Sequence, residues 1–104
     1  MNTIIQENKS KLNKMFQSHK IKNAYVFGSA LGDEFNENSD IDLLINFEEN
    51  IEPLERGDLW WSLYENLQDL FHRKIDLITE ASLKNKYFIQ ELNNTKKLIY
   101  KYNY

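Results

Sequence analysis

Cysteine is absent from this sequence of 104 residues, and proline occurs only once. Without cysteine the chain can form neither disulfides nor thiolate zinc sites, and a reducing compartment is the natural environment of such a protein. No apolar run approaches the roughly 20 residues that are needed to cross a bilayer. The first residues also lack the cationic start and apolar stretch of a signal peptide. We therefore expect a cytoplasmic protein that does not enter a membrane.

Basic residues are missing from one long stretch of the chain. From Tyr25 to Glu55 there are nine Asp and Glu residues and no Lys or Arg. The first 24 residues contain five lysines and one glutamate, and residues 81–104 have the same balance. For most of the acidic residues, the simplest interpretation is a solvated loop between two basic surface helices. Some lie in an apolar strand, however, where a carboxylate is costly unless a partner such as a divalent cation neutralises it.

Hydrophobic periodicity predicts alternating helices and strands. We expect helices over about 2–19, 58–72 and 81–93, and strands over about 24–27, 41–47, 74–78 and 97–100. Segments 32–40 and 48–57 are predicted to be loops, the second because it contains Pro53 and ends at Gly57. The predicted architecture is an α/β (α+β) fold in which helices flank one small mixed β-sheet, as a single domain over residues 1–104.

Three segments carry residues that suit chemistry at phosphorus. One strand ends at Gly28-Ser29, where a glycine lets a phosphate approach backbone N–H donors and the serine adds a hydroxyl. Asp40 and Asp42 stand two residues apart at the start of the central strand, so their side chains point to the same face. A neighbouring strand could bring Asp76 to the same place. Carboxylate oxygens suit Mg²⁺ or Mn²⁺, and the combination is typical of metal-assisted in-line displacement.

Each of these features also has an ordinary explanation. An Asp-x-Asp pair often occurs by chance, and Asp40 alone could be a turn or cap residue. Gly28-Ser29 alone could be a simple turn, and Asp76 alone could be a strand residue that faces solvent. Chance does not readily produce all three features together, each at a strand end or within a strand. Their joint occurrence therefore favours a metal site.

The three segments together resemble the signature segments of the DNA polymerase β-like nucleotidyltransferase superfamily. The resemblance is greatest to its shortest, single-domain members, the minimal (MNT-type) nucleotidyltransferases, and it spans about residues 22–101. The matching segments are Val26-Phe27-Gly28-Ser29, Asn38-Ser39-Asp40-Ile41-Asp42-Leu43-Leu44 and Lys74-Ile75-Asp76-Leu77-Ile78-Thr79.

This resemblance implies a polymerase β-like nucleotidyltransferase fold and a set of site residues. It implies that Gly28 and Ser29 bind the triphosphate of ATP. It also implies that Asp40 and Asp42 hold Mg²⁺ or Mn²⁺. In the family, the counterpart of Asp76 binds the metal on the acceptor side and helps to activate the attacking hydroxyl. The resemblance thus implies that all three aspartates are both catalytic and metal-binding residues.

One departure from the family pattern concerns the phosphate site. Many relatives have an arginine a few residues after the Gly-Ser pair, whereas this chain has Ala30-Leu31-Gly32-Asp33 there. An arginine fork gives bidentate contacts to phosphate, so its absence lowers the affinity that we expect for a triphosphate. The metal site does not depend on it.

The resemblance also implies a function. We expect a nucleotidyltransferase that moves a nucleoside monophosphate, AMP from ATP, to a hydroxyl. Many relatives are encoded beside a helical HEPN-domain protein and silence this toxin by adenylylating one of its tyrosines, so we expect a HEPN partner. A chain of 104 residues leaves no room for a separate domain that grips tRNA, RNA ends or an antibiotic. This size argues against direct nucleic-acid binding.

Two other functions remain open at this point. A non-catalytic antitoxin would neutralise a HEPN partner by binding alone; the missing arginine favours it, and the three aspartates speak against it. A small-molecule nucleotidyltransferase, similar to aminoglycoside-modifying relatives, would usually carry an additional helical domain.

The remaining aromatic and histidine residues are less informative. Trp60 fits the apolar stripe of its helix, whereas Trp61 and Tyr64 lie off that stripe. They form either an exposed patch for a partner or a partly buried flank of the helix. We interpret His19 and His72 as surface or helix-end residues rather than metal ligands.

Overall fold

The computed structural model describes residues 3–28, 36 and 38–102. Its helices are α1 (Thr3–Glu7), α2 (Lys9–Ser18), α3 (Pro53–Phe71) and α4 (Lys86–Thr95), with a short 3-10 helix at Glu80–Ser82. Its strands are β1 (Ile21–Phe27), β2 (Ile41–Phe47), β3 (Ile75–Thr79) and β4 (Lys97–Lys101). The strands form one sheet in the order β3-β2-β1-β4. The predicted fold class, a small mixed sheet flanked by helices, is confirmed.

The strand directions bring two strand starts together at one end of the sheet. β1 is antiparallel to both β2 and β4, whereas β2 and β3 run parallel. Parallel neighbours need a long crossover connection, and α3 lies within it. The first residues of β2 and β3 therefore lie side by side, next to the last residues of β1.

Apolar side chains pack on both faces of the sheet. The larger cluster joins the sheet to α1, α2 and α3, and it includes Ile41, Leu43 and Ile45 of β2. The smaller cluster joins Leu44 of β2 to Leu92 of α4 on the other face. Because side chains alternate along a strand, the even-numbered residues of β2 share the face that carries α4.

Helix α3 begins at Pro53, earlier than the sequence predicted. A proline fits the first turn of a helix because its missing N–H would have no partner there and its φ is already helical. Gly57 lies inside the helix, and no atom lies within 4 Å of a Cβ built on it. The predicted loop over 48–57 is therefore wrong for residues 53–57, because proline and glycine here lie within a helix.

Each of the two other predicted helices consists of two shorter helical segments in the structure. The expected first helix is interrupted at Asn8, whose side-chain amide donates to the carbonyl of Ile4 over 2.8 Å. The expected helix over 81–93 consists of the 3-10 turn followed by α4. Asn85 caps α4, because its side-chain oxygen accepts hydrogen bonds from the N–H groups of Tyr87 and Phe88.

His19 connects α2 to α3. It follows the last residue of α2 and is buried, so the helix-end interpretation fits it and a surface position does not. Its Nδ1 lies 2.7 Å from the carbonyl of Met15, and its Nε2 lies 2.9 Å from the hydroxyl of Ser62. If Nδ1 carries the proton, it donates to the carbonyl of Met15, and Nε2 accepts a hydrogen bond from the hydroxyl of Ser62.

Within the described residues, none of the helices combines the length and the hydrophobicity that a bilayer span requires.

Candidate active site

Asp42 and Asp76 are direct neighbours in the parallel pair β2–β3. The register of the two strands sets Asp42 opposite Asp76. Neighbouring strands lie about 4.8 Å apart, and the side chains of paired residues leave the sheet on the same face. Asp42 is half-buried and Asp76 is exposed. The fold therefore brings these two carboxylates, which are distant in sequence, to one place on the face that carries α4.

Asp40 lies immediately before β2, at the same end of the sheet. The next residue, Ile41, starts the ladder to the neighbouring strand, because its N–H donates to the carbonyl of Lys74 over 3.1 Å. The side chain of Lys74 also approaches Asp40, with 3.8 Å between Nζ and Oδ2. The structure thus places all three predicted aspartates at one end of the sheet, with a lysine beside the first.

The backbone aligns these carboxylates without closing them around a single point. In the part of the chain that the structure describes, no three Asp, Glu or His side chains converge as a preformed metal site. Mutual repulsion between carboxylates favours this open arrangement. The donor set consists of hard oxygen ligands, which Mg²⁺ and Mn²⁺ prefer and usually share with substrate phosphates and water. The residues present therefore fit a divalent cation that binds together with a phosphate ligand.

Gly28 ends β1 and lies against Asp42. Its φ of +70° is in the left-handed region, which other residues rarely adopt. A Cβ built on Gly28 would collide with the carboxylate oxygen of Asp42 and lie 3.2 Å from its Cγ. Both the backbone conformation and the space require glycine here. Contact of Gly28 with a phosphate stays a prediction, and Ser29 lies outside the described residues.

A tight turn leads into Asp40, and Arg73 holds it. The N–H of Ser39 donates to the carbonyl of Asn36, and the N–H of Asn36 donates to the Ser39 hydroxyl, both over 3.0 Å. The N–H of Asn38 donates to the side-chain oxygen of Asn36 over 2.8 Å. Arg73, from the segment between α3 and β3, places one guanidinium nitrogen 3.0 Å from the carbonyl oxygens of both Asn36 and Ser39.

The sequence patterns indicated no role for Arg73 or Lys74. The family resemblance implied an arginine after Gly28-Ser29 instead. The guanidinium that reaches this end of the sheet comes from Arg73 instead, and it contacts backbone carbonyls. A signal was available, because two basic residues directly precede the strand of Asp76 while the segment of Asp40 and Asp42 has none.

The rest of this face carries apolar and polar contacts. Phe27 packs edge-on against Phe88 of α4, with 6.4 Å between ring centroids. At the far end, the amide of Asn46 donates to Asn23 over 2.8 Å and to Glu80 over 2.6 Å. Asn46 shares the face of the aspartates, but its side-chain amide fixes the sheet to the 3-10 turn.

Comparison with known proteins identifies the family. The family model described as "Polymerase beta, Nucleotidyltransferase" matches residues 10–104. The chain belongs to this nucleotidyltransferase family. The resemblance that the three sequence segments indicated is confirmed, and so is the enzyme class.

This nucleotidyltransferase is also similar to individual known proteins. It is 39% identical over 85 residues to "Putative protein adenylyltransferase MJ0126" of Methanocaldococcus jannaschii. This match covers 81% of this chain and 79% of the relative. It matches a chain in the crystal structure of a toxin–antitoxin with AMP-PNP with a TM-score of 0.69 and 23% identity, over 91% of this chain and 74% of that chain.

A second solved structure contains the tri-AMPylated HEPN toxin of Shewanella oneidensis in complex with an MNT antitoxin. The nucleotidyltransferase matches a chain of this complex with a TM-score of 0.63 and 22% identity, over 94% of this chain and 73% of that chain. At such identities, the likeness to both solved structures shows that the polymerase β-like fold is shared.

Proposed function

We propose that this nucleotidyltransferase is a Mg²⁺-dependent protein adenylyltransferase that moves AMP from ATP to a hydroxyl of a partner protein. The observation that carries the proposal is the register of Asp42 against Asp76, with Asp40 at the same end of the sheet. A relative named as a protein adenylyltransferase and a structural neighbour with AMP-PNP support the choice of reaction and nucleotide. Mn²⁺ would bind to the same carboxylates in place of Mg²⁺.

Each site residue has a distinct task in this proposal. A bound divalent cation supplies charge that stabilises the attacking and leaving oxygens. Asp40 and Asp42 hold it beside Gly28, where the triphosphate lies. Asp76 is exposed and so accessible to the acceptor, whose hydroxyl proton it draws away. The acceptor oxygen then bonds to the α-phosphorus, the bond to the bridging oxygen breaks, and pyrophosphate leaves. Ser29 adds a hydroxyl contact to the triphosphate.

The acceptor that we propose is a tyrosine of a HEPN-domain toxin, which would make this protein its antitoxin. The support is the structural neighbour in which an MNT antitoxin accompanies a tri-AMPylated HEPN toxin. A protein acceptor must dock on the catalytic domain so that its hydroxyl lies in line with the α-phosphate.

Helix α3 offers a surface for such docking. Trp61 is 60% exposed, and Leu54, seven residues earlier on the same face of the helix, is 81% exposed. Tyr64 is half-buried and stacks on Trp60 with 5.1 Å between ring centroids. The exposed side chains of this patch are therefore Leu54 and Trp61, and the rings of Trp60 and Tyr64 pack against Trp61. Of the two alternatives that the sequence left open, Tyr64 fits the partly buried flank and Trp61 fits the exposed patch.

A direct experiment tests the reaction. The protein is incubated with Mg²⁺, ATP and the co-expressed HEPN protein, and the partner's mass is measured. We expect added AMP units with the wild type and none with the double variant Asp40→Asn, Asp42→Asn. Transfer to a free small molecule by the domain alone would contradict the proposal.

The alternative is an antitoxin that neutralises its partner by binding alone. The absence of an arginine between Ser29 and Asp40 favours it. In that case the double variant would bind and inhibit the toxin as well as the wild type does, with no added mass on either partner.

A further inference from the structure

The turn before Asp40 is held from outside its own segment. Asp40 follows Ser39 directly, so the position of the Ser39 carbonyl determines where the Asp40 backbone begins. One guanidinium nitrogen of Arg73 lies 3.0 Å from this carbonyl and 3.0 Å from that of Asn36. Hydrogen bonds from an ionised donor are stronger than neutral ones. Arg73 therefore joins both ends of the turn at one point.

Arg73 is itself fixed on either side. On one side, His72 ends α3. Its backbone is in the left-handed conformation, and its N–H donates to the carbonyl of Gln68 over 2.8 Å. The carbonyl of Lys74 accepts the N–H of Ile41, which starts the β2–β3 ladder. The backbone of Arg73 thus lies between a helix end and the first ladder bond, and its half-buried side chain reaches from there to the turn.

We infer that Arg73 is a positioning residue, which holds Asp40 at the place where it binds the metal together with Asp42 and Asp76. This inference rests on the proposed function, because it assumes that the three aspartates bind a divalent cation. Arg73 touches neither metal nor substrate in this scheme. It acts through the carbonyl groups of the turn, as outer residues of metal sites orient the ligands.

Charge and geometry predict opposite effects of removing Arg73. A cation near the site repels a divalent ion, so loss of charge alone would strengthen metal binding. Loss of the hydrogen bonds from Arg73 to the turn instead lets Asp40 move away from the other two aspartates, which weakens metal binding. The sign of the change in metal affinity therefore separates a positioning role from a purely electrostatic one. A role in folding alone would lower the melting temperature and leave the affinity of the folded protein unchanged.

Mn²⁺ binding to the full chain, followed by electron paramagnetic resonance, tests the inference. We expect Arg73→Gln to weaken Mn²⁺ binding about tenfold, as the loss of an outer-shell partner typically does. Arg73→Lys keeps the charge but replaces the guanidinium that contacts both carbonyl groups, so its loss of Mn²⁺ affinity should be smaller. Arg56→Gln is the matched control, because it removes the other arginine of the sequence, at the opposite end of α3, and should leave the affinity unchanged.

A second measurement reports on the turn itself. Amide hydrogen exchange at residues 38–42 should be faster in Arg73→Gln than in the wild type. Millimolar methylguanidinium should restore part of the Mn²⁺ affinity of Arg73→Ala, which no general effect on folding would produce.

The outcomes are distinguishable. Unchanged or tighter Mn²⁺ binding by Arg73→Gln, with normal binding by the wild type, would overturn the role of Arg73 and leave the proposed function standing. A wild-type protein that binds no Mn²⁺, either alone or with a non-hydrolysable ATP analogue, would overturn the metal site and this inference with it. If Arg73→Gln does not fold, Arg73→Lys decides, and wild-type affinity in that variant would overturn the inference that the Arg73 guanidinium positions Asp40.

Discussion

Gly28 and Asp42 lie so close together that a single methyl group on the glycine would collide with a carboxylate oxygen of the aspartate. The contact joins the end of β1 to the start of β2, where Phe27 and Asp42 are paired in the antiparallel register. The chain therefore has a glycine at this position for a reason that is independent of any bound phosphate. Substitution at this position tests the geometry of the site directly.

Gly28→Ala should abolish nucleotidyl transfer and destabilise the fold. A left-handed φ costs an alanine about 1–2 kcal/mol, and the new methyl group displaces the carboxylate of Asp42. The melting temperature and the transfer rate are the measurements. Gly57→Ala is the matched control, because a Cβ has open space there and the change should stabilise α3 by about 0.5–1 kcal/mol. Normal transfer by Gly28→Ala would contradict the observed contact.

Neutralising the first two aspartates should stabilise the metal-free protein. Asp42 lies opposite Asp76 in the strand register, where like charges repel one another, so the double variant Asp40→Asn, Asp42→Asn should melt at a higher temperature without metal. It should also lose the rise in melting temperature that Mg²⁺ or Mn²⁺ gives the wild type. The control Glu65→Gln, Asp69→Asn removes two exposed carboxylates from α3 and should keep the metal response. A metal response that survives in the first double variant would exclude the assigned site.

The aspartates of β2 and β3 should differ in their effects on catalysis. Asp42→Asn should eliminate transfer, because Asp42 lies between Gly28 and Asp76 and would hold the divalent cation beside the triphosphate. Asp76→Asn should leave nucleotide binding nearly intact and reduce turnover, since it serves the attacking hydroxyl. Binding of a non-hydrolysable ATP analogue and single-turnover rates separate the two effects. The same loss of nucleotide affinity in both variants would refute this division.

Trp61→Ala should weaken the complex with the partner and leave the isolated domain folded. The side chain is exposed, and aromatic anchors in interfaces often contribute 2 kcal/mol or more. The dissociation constant of the complex, measured by titration calorimetry, checks this. Tyr87→Ala removes an exposed aromatic side chain from α4 instead and serves as the comparison. If Tyr87→Ala weakens the complex and Trp61→Ala does not, the docking surface is on α4 and not on α3.

Alkaline pH should destabilise the fold partly through Tyr100. Burial, and then the nearby charge of Glu48, raise the pKa of Tyr100 above its ordinary value of 10.0. Because the pKa of Tyr100 is higher in the folded than in the unfolded protein, its contribution to stability is fully present below the unfolded pKa. This contribution is lost as the pH rises through the folded pKa. The melting temperature should therefore fall above about pH 10.

Tyr100→Phe cannot ionise, so its melting temperature should fall less over the same range. Some of the fall should remain, because Lys20 loses its ion pair with Glu55 when it deprotonates. The hydrogen bond and charge of Glu55 raise the pKa of Lys20, so this stabilisation too is lost only at high pH. Tyr87→Phe, at an exposed position, is the control. An identical pH dependence in Tyr100→Phe and the wild type would show that Tyr100 does not contribute.

The sequence predicted the strands better than the helix boundaries. β2 was expected over 41–47 and has those bounds, because every odd-numbered position of this segment is apolar. The start of α3 was missed, since Pro53 and Gly57 are usual in loops and only the packing of the following turns shows that they are helical. The break at Asn8 was missed for a similar reason, because its side-chain contact with Ile4 is local and leaves the apolar periodicity unchanged.

The alignment of Asp42 with Asp76 was foreseeable only in part. The spacing of Asp40 and Asp42 indicates a shared face, but the sequence does not contain the register of β2 against β3. That register depends on how α3 packs in the crossover. The contact of Arg73 with the turn joins residues far apart in the chain and depends on the same packing. The sequence patterns therefore indicate the segments of the three aspartates but not Arg73, which contacts the turn before Asp40.

The parallel register also restricts which length changes the gene can tolerate. Deleting Ile75 would turn the carboxylate of β3 toward the opposite face, into the apolar core, while Asp42 kept its place. Deleting Lys74 and Ile75 together would restore the face but shift the carboxylate about 6.6 Å along the strand. Insertions and deletions in this crossover should therefore be confined to the loop before α3, where an added residue does not alter the alignment of β3 with β2.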